Sequence, residues 1–289
     1  VCERAQAHDL PIYPSLIMQQ GRGPRQIDVR CSEFRHDHAH LEIGEAVDAQ
    51  HPAHTCLNYA HEEVRAERLA IVEEVVAAYP VAGFELNFAW QTWFFAPDAE
   101  DAGRALMTAW IRQLRDIVRQ SGENRQLAVR VPASISACHA IGLDVGQWIA
   151  EGLVDIVTGQ TFPGSELVDC NADFSSLVAA AQGTGTHVLG CVNSLVDSDR
   201  MGQGTIEVIR ACASNAWAQG VDGLYLGHWF GLWPYEADFY EKLRELPYPE
   251  VMAPKDKQYY AATATGRTAE PVPGPGGTRQ LPVTLATDG

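Results

Sequence analysis

The sequence predicts an α/β protein built as a (β/α)8 TIM barrel that lacks its first two strands in this chain. Segments with strand-like and helix-like patterns alternate from about residue 10 to residue 246, which is typical of βαβ units and a parallel sheet. Most strand-like segments are short apolar runs, as expected for strands that are buried on both faces. Several of them end in amide or charged side chains, and the carboxyl ends of barrel strands carry the active sites of such folds.

The most informative strand is predicted at residues 81–88, VAGFELNF. Side chains alternate along a strand, so Phe84, Leu86 and Phe88 share one face while Glu85 and Asn87 share the other. An edge strand with a solvated polar face would show the same alternation. Because polar residues recur at the ends of other predicted strands, we expect this polar face to line a functional site instead. Aromatic residues follow the strand at once: Trp90, Trp93, Phe94 and Phe95.

The remaining elements repeat the same alternation. Strands are predicted at 10–18, 81–88, 126–132, 154–160, 187–193 and 221–229, and helices at 61–79, 98–120, 144–151, 173–182, 205–219 and 236–246. We expect Asp98, Asp144 and Asp173 to cap the amino termini of their helices. Residues 19–60 read as a long functional loop. A doubly wound sheet is the alternative, but the Gly-rich phosphate-binding turn that it would need is absent.

Two domains are expected from a change in composition near residue 250. Residues 1–249 form the barrel. Residues 250–289 form a linker, with the Pro/Gly-rich stretch 266–277, and the start of a truncated C-terminal β domain.

Composition excludes several classes of function. The net charge of −16 and the lack of Lys/Arg clusters argue against nucleic acid, and no run of about 18 apolar residues exists that would span a membrane. The seven cysteines have neither disulfide-framework nor zinc spacing, so we expect buried thiols, which weakly favours a reducing, cytoplasmic setting. The chain begins with Val and shows no signal peptide, so its localisation stays open. We expect no cofactor, and the P-loop motif is absent, as is the GxSxG motif of a serine nucleophile.

The predicted strand ends bring together side chains that suit a polyhydroxylated ligand. Amide, guanidinium and carboxylate groups offer directed hydrogen bonds, and aromatic rings stack on the apolar face of a sugar. The expected sugar-contacting residues are Tyr13, Tyr59, Asn87, Trp90, Arg130, Gln160, Asn193, Tyr225, His228, Trp229 and Trp233. The partner predicted from this set is a carbohydrate.

Residues 57–88, LNYAHEEVRAERLAIVEEVVAAYPVAGFELNF, resemble a segment of glycoside-hydrolase-like TIM barrels, the largely uncharacterised bacterial family-10-like group. Segments 154–160 and 221–230 are similar to that group's sixth and eighth strands. The resemblance implies that 81–88 is the fourth barrel strand and ends in acidic residues at the active-site mouth. In that group the strand usually reads D-G-x-x-x-D, whereas this chain has Ala82 and Asn87 at the two positions of the acids. Glu85 is the acidic residue that remains in the strand.

Glu85 is therefore the predicted catalytic carboxylate of a glycoside hydrolase. A nearby Arg130 would favour a charged carboxylate, which suits a nucleophile or base, although a purely structural Glu85–Arg130 ion pair is the alternative. Glycosidases normally use a second carboxyl group. Its candidates lie in loops: Asp37, Glu42, Glu45, Asp98, Glu166, Asp197 and Glu236.

Two other functions remain open at this stage. Asn87 in place of an acid suits a non-catalytic carbohydrate-binding barrel that has lost its activity. His36, His38 and His40 alternate in RHDHAH, and an HxH pair can bind zinc, so a metal-dependent barrel hydrolase is the third possibility. These histidines lie in the long loop and not on an apolar strand, which disfavours the metal site.

Overall fold

The computed structural model describes residues 1–19, 32–161, 169–193, 204–227 and 237–259, apart from the side chains of 237–239. Within these ranges the fold is α/β with six parallel strands. The strands are β1 Ser15–Ile17, β2 Gly83–Asn87, β3 Gln126–Pro132, β4 Ile156–Gln160, β5 His187–Asn193 and β6 Gly223–Gly227. The predicted fold class is thus confirmed.

The α-helices of the described residues lie mostly between these strands. They are α1 Cys2–Gln6, α2 Glu33–Asp37, α3 Glu62–Ala78, α4 Glu100–Gln120, α5 Ile135–His139, α6 Val145–Ala150, α7 Ser175–Ala181, α8 Ile206–Ala218, α9 Ala237–Glu245 and α10 Pro249–Met252. Three short 3-10 turns, at Ala39–Leu41, Gly44–Ala46 and Pro52–Thr55, lie in the long segment before α3.

The amino termini of α4, α6 and α7 can be compared with the predicted N-caps. Asp144 caps α6 as expected, since its carboxylate accepts a hydrogen bond from the backbone N–H of Gln147 at 3.0 Å. The prediction for Asp98 is wrong: its φ of +66° places it in a left-handed turn, and Ala99 is the N-cap of α4. Asp173 precedes the N-cap Phe174 by one residue and accepts from the N–H of Ser175 at 2.9 Å.

The chain divides into two compact units. The first comprises Val1–Val131, Ile135–Val157 and Gly183–Thr186. In it β1, β2 and β3 pair in parallel, and Ser15 lies beside Glu85, which lies beside Ala128. Phe88, the residue after β2, packs into the core: its ring lies 5.4 Å from that of Phe94 and 5.9 Å from that of Trp148 in α6. The strand is buried along its whole length.

The second unit comprises Pro132–Ser134, Thr158–Gln182 and His187–Gly289. Its β5 and β6 pair in parallel, with Cys191 beside Tyr225. The centre of its core is α8, whose residues Val208, Ile209 and Cys212 are buried. Residues 250–259, which belong to the predicted linker, pack on this core through Met252 of α10, which is fully buried, and through Tyr259. Residues 260–289 lie outside the described residues.

A buried ionic cluster in the second unit gives a test of the packing of α9 on α8. Glu245 accepts a hydrogen bond from Arg210 Nε at 2.7 Å and pairs with Lys255. The hydrogen bond from Arg210 lowers the pKa of Glu245 in spite of its burial. A depressed pKa in the folded state means that the carboxylate stabilises the fold at neutral pH. The contribution is lost as the pH falls below the ordinary glutamate value of about 4.3.

We therefore expect Glu245→Gln to lower the free energy of unfolding by about 3 kcal/mol at pH 7, because it leaves Arg210 buried without its countercharge. The loss should be smaller at pH 3, which lies below the ordinary glutamate pKa, because part of the stabilisation by the carboxylate is then already lost in the wild type. Urea unfolding followed by circular dichroism at both pH values measures this. The matched control is Glu241→Gln, since Glu241 lies 4.0 Å from the same arginine with its side chain 55% exposed. An equal loss for Glu245→Gln at both pH values would contradict the assignment.

Candidate active site

Glu85 is a buried carboxylate in the middle of the three-stranded part of the first unit. Its side chain is 7% exposed. One carboxylate oxygen, Oε1, accepts a hydrogen bond from Ser15 Oγ at 2.6 Å and lies 3.6 Å from Nη2 of Arg130. A negative charge at this position therefore has a hydroxyl donor on β1 and a guanidinium on β3.

The strand register explains why these three groups meet. Residues that pair across parallel strands point to the same face, so Ser15, Glu85 and Ala128 form one row. The small neighbours Ser15 and Ala128 leave space beside the longer carboxylate. The next row along the strands holds Asn87 and Arg130. Arg130 thus reaches Glu85 diagonally from one row further toward the carboxyl ends.

Asn87 ends β2 and is 3% exposed. Its side-chain oxygen accepts a hydrogen bond from the N–H of Ala89 at 2.9 Å, and its backbone carbonyl accepts from the N–H of Met18 at 3.0 Å. The amide therefore shapes the turn that leaves the strand. It lies on the same face as Glu85, as the alternation predicted, but its oxygen is already used within the protein.

Gln19 holds the loops around this strand end, and sequence reasoning missed it. Its Nε2 donates to the carbonyls of Leu57 at 2.5 Å and Trp93 at 2.6 Å, and its Oε1 accepts from the N–H of Leu57 at 3.1 Å. The side chain is 1% exposed. A glutamine at the start of a long polar loop carries no pattern that would mark it as buried, so only the contacts reveal its role.

Tyr59 is a core residue in this structure, which corrects its expected place in a sugar subsite. The side chain is fully buried, with its ring against Phe94 and Trp110. Burial raises the pKa of Tyr59 to about 12, so the hydroxyl stays protonated and donates to the carbonyl of Met18 at 2.7 Å. No face of the ring is open to a ligand.

Tyr13 lies at the opposite ends of the strands from the expected mouth. Its ring packs against Gly83, the first residue of β2, where a Cβ would come within 2.6 Å of the tyrosine Cε1. Its hydroxyl donates to Oε1 of Gln126, the first residue of β3. Tyr13 therefore lies near the amino ends of β2 and β3, whereas we expected it in the ring of sugar contacts at the carboxyl ends of the strands.

The aromatic run after β2 divides between core and surface. Phe94 and Phe95 are 1% and 5% exposed and belong to the core. Trp90 and Trp93 are half-buried, and the ring of Trp93 meets His51 edge to face at 5.3 Å. The predicted contacts His228, Trp229 and Trp233 lie outside the described residues.

Three predicted sugar contacts belong to the second unit. Gln160 ends β4 and Asn193 ends β5, and both are 2% exposed. Asn193 Oδ1 accepts from the thiol of Cys191 at 3.5 Å and crowds Gly227, where a Cβ would come within 2.6 Å of that oxygen. A glycine is therefore required at the end of β6 beside this amide. Tyr225 is half-buried.

Among the described candidates for a second carboxyl group, Glu42 differs from the others by its burial. Its side chain is 6% exposed, and Oε1 lies 3.2 Å from Nε of Arg35. Asp37, Glu45 and Asp98 are exposed. Glu166, Asp197 and Glu236 lie outside the described residues.

The histidine-rich segment 35–40 covers the end of α2 and the start of the 3-10 turn Ala39–Leu41. His38 stacks on Phe34 with ring centroids 4.4 Å apart, and its Nδ1 lies 2.8 Å from the carbonyl of Phe34. Within the described ranges, no group of three or more His, Cys, Asp or Glu side chains has the arrangement of a metal site. His36 and His38 therefore gain no further ligand from the residues that the structure describes.

Comparison with known proteins gives a match in fold. No family model matches the chain, and no curated protein matches it either. The structure of α-L-fucosidase isoenzyme 2 from Paenibacillus thiaminolyticus matches with a TM-score of 0.56 and 14% identity, over 87% of this chain and 38% of the fucosidase. A chitinase from Chromobacterium violaceum ATCC 12472 matches with a TM-score of 0.51 and 11% identity, over 85% of this chain and 82% of the chitinase.

The chain resembles TIM-barrel glycoside hydrolases in its fold. At 11–14% identity, the likeness covers the fold and not the activity, and it does not single out the family-10-like group. Among the described helices, none is both long enough and apolar enough to cross a membrane.

Proposed function

We propose that the protein is a glycoside hydrolase that acts on an oligo- or polysaccharide, with Glu85 as a catalytic carboxylate. The observation that carries the proposal is the burial of a carboxylate. The side chain of Glu85 is 7% exposed inside a parallel strand, and its neighbours are Ser15 and Arg130. Burial of a carboxylate is costly unless nearby polar groups compensate for it, and the active sites of barrel folds lie at the carboxyl ends of the strands.

Two further observations support this function. The structures that match in fold are named as a fucosidase and a chitinase. The segment 57–88 resembles the family-10-like hydrolase group, in which the equivalent strand ends in acidic residues at the active-site mouth. Both support carbohydrate chemistry at the carboxyl ends of the strands, and Glu85 lies two residues before the end of β2.

The proposed roles follow from the geometry. Glu85, held beside Arg130, acts as a nucleophile or base, and a second carboxyl group acts as the acid. A retaining enzyme needs the two groups about 5–5.5 Å apart, and an inverting one about 6.5–9.5 Å. Among the described loop candidates Glu42 is buried, but it is paired with Arg35, so the role of the acid is not assigned to it. Asn87, Arg130 and Trp90 remain predicted sugar contacts in the first unit, as do Gln160, Asn193, Tyr225, His228, Trp229 and Trp233 elsewhere in the chain.

Glu85→Gln tests the proposal. The amide keeps the shape of the side chain and can still accept from Ser15, but it cannot act as a nucleophile or base. We expect hydrolysis of an oligosaccharide panel, measured as newly formed reducing ends, to fall by about 10²–10⁴-fold. Glu245→Gln is the matched control, since Glu245 is equally buried and arginine-paired but lies in α9, and it should lower stability while keeping activity. Undiminished hydrolysis in folded Glu85→Gln protein would overturn the role of Glu85.

Asn87 favours a second candidate function, a non-catalytic carbohydrate-binding barrel. In the resembling family an acid stands at this position, whereas here an amide oxygen is used to accept from Ala89. A barrel that had lost one acid would still present the polar face of β2 to a sugar, so binding without hydrolysis is the consequence.

Asn87→Asp distinguishes the two functions. The carboxylate can still accept from the N–H of Ala89, so the turn should keep its shape. If the wild type binds glycans without cleaving them and the variant gains hydrolysis, the protein is a degenerate enzyme. If the wild type already releases reducing ends and the variant does not improve on it, the binding-module function is excluded. Wild-type and variant protein should be compared on the same glycan panel, with binding measured by calorimetry.

A further inference from the structure

Two cysteines of the second unit bring their sulfur atoms close together. The Sγ atoms of Cys170 and Cys212 lie 2.9 Å apart, and the residues are 3% and 6% exposed. A disulfide bond is about 2.05 Å long, so the two sulfurs need to approach by only about 0.9 Å. The two cysteines are 42 positions apart in the sequence and belong to no spacing motif, so the pair is visible only in the folded chain.

The backbone around the pair is held in place by side chains of α8. Asn215 Nδ2 donates to the carbonyl of Cys170 at 2.6 Å, and Gln219 Nε2 donates to the carbonyl of Ala172 at 2.9 Å. Gln219 Oε1 also accepts from the N–H of Phe174 at 2.7 Å. Positions 212, 215 and 219 recur at helical spacing and so share one face of α8. Residues 170–174 are thus fixed along the face that carries Cys212.

The surroundings favour a covalent bond between the two sulfurs over metal binding. The pair lies in an apolar cluster with Val208, Ile209 and Met252. In the part of the chain that the structure describes, no third His, Cys, Asp or Glu side chain joins the two cysteines in a metal-site arrangement. A zinc site would need four ligands, or three and a water.

We propose that Cys170 and Cys212 form an intramolecular disulfide when the protein meets a small-molecule disulfide such as oxidised glutathione. The thiolate of one cysteine attacks a glutathione sulfur, which breaks the glutathione disulfide and releases one glutathione thiolate. The second cysteine then attacks the mixed disulfide and releases the second glutathione. Two protein thiols lose two protons and two electrons, and one glutathione disulfide is reduced to two thiols.

The folded environment determines when this exchange takes place. Only the thiolate attacks a disulfide, and burial together with the neighbouring Cys170 raises the pKa of the Cys212 thiol well above its ordinary value. The folded protein therefore exposes little reactive thiolate, and the bond forms during folding, while both sulfurs are still accessible. Once formed, it is shielded from reductants by the same burial.

The experiment is to refold the reduced, denatured full-length chain with and without oxidised glutathione. With the oxidant we expect the intact mass to fall by two hydrogens and the thiol count in denaturant to fall from seven to five, with fragment mass spectrometry joining position 170 to position 212. Because the bond closes a loop of about 43 residues, the melting temperature should rise by about 5 to 15 °C and return to its reduced value with dithiothreitol present during unfolding.

Variants separate this bond from other oxidation. Cys170→Ala and Cys212→Ala should each abolish the oxidant-dependent rise in melting temperature. Cys56→Ala should keep it, since Cys56 is equally buried but its sulfur lies near oxygen atoms of Pro52 and Gln91. Alkylation of both Cys170 and Cys212 after refolding with the oxidant, or a link from either of them to a different cysteine, would overturn the proposal. Neither result bears on the role of Glu85.

Discussion

The constraint on which the site depends is the burial of one carboxylate inside a parallel strand. Glu85 occupies a position where an aliphatic residue would pack at no electrostatic cost, and its charge must be compensated by polar groups nearby. Small residues on both sides, Ser15 and Ala128, make room for it. Ser15 supplies a hydrogen bond and Arg130 supplies the countercharge. The strand register that brings these residues into adjacent rows therefore determines the polar surroundings of the carboxylate as well as the fold.

The loops beyond the strand end are fixed by buried polar contacts. Gln19 joins β1 to the segments around Leu57 and Trp93, and Tyr59 closes the same region through the carbonyl of Met18. Residues 170–174 of the second unit are held by Asn215 and Gln219 of α8 in a similar way. In both places an amide side chain satisfies backbone groups that have no partner within a strand or helix, which keeps irregular segments in one conformation.

The fold and the face of Glu85 were predictable because they depend on local periodicity. Strands β3 and β5 have the predicted bounds, since apolar runs between turn residues leave little choice. Asp98 was misjudged because it lies in a left-handed turn one residue before the N-cap of α4, and aspartate suits both positions. Tyr59 was misjudged because its burial depends on Met18, 41 positions away. The Cys170–Cys212 contact and the role of Gln19 were out of reach for the same reason.

The central proposal is that the Glu85–Arg130 pair serves the proposed site and is not a brace of the fold. The two groups are 3.6 Å apart, too far for a good hydrogen bond, so their attraction does little beyond offsetting the cost of burying them. The direct test is the free energy of unfolding of the double variant Glu85→Gln, Arg130→Met, measured by urea denaturation. We expect a value within about 1 kcal/mol of the wild type, or above it. A loss of about 3 kcal/mol or more would show that the pair is a structural brace.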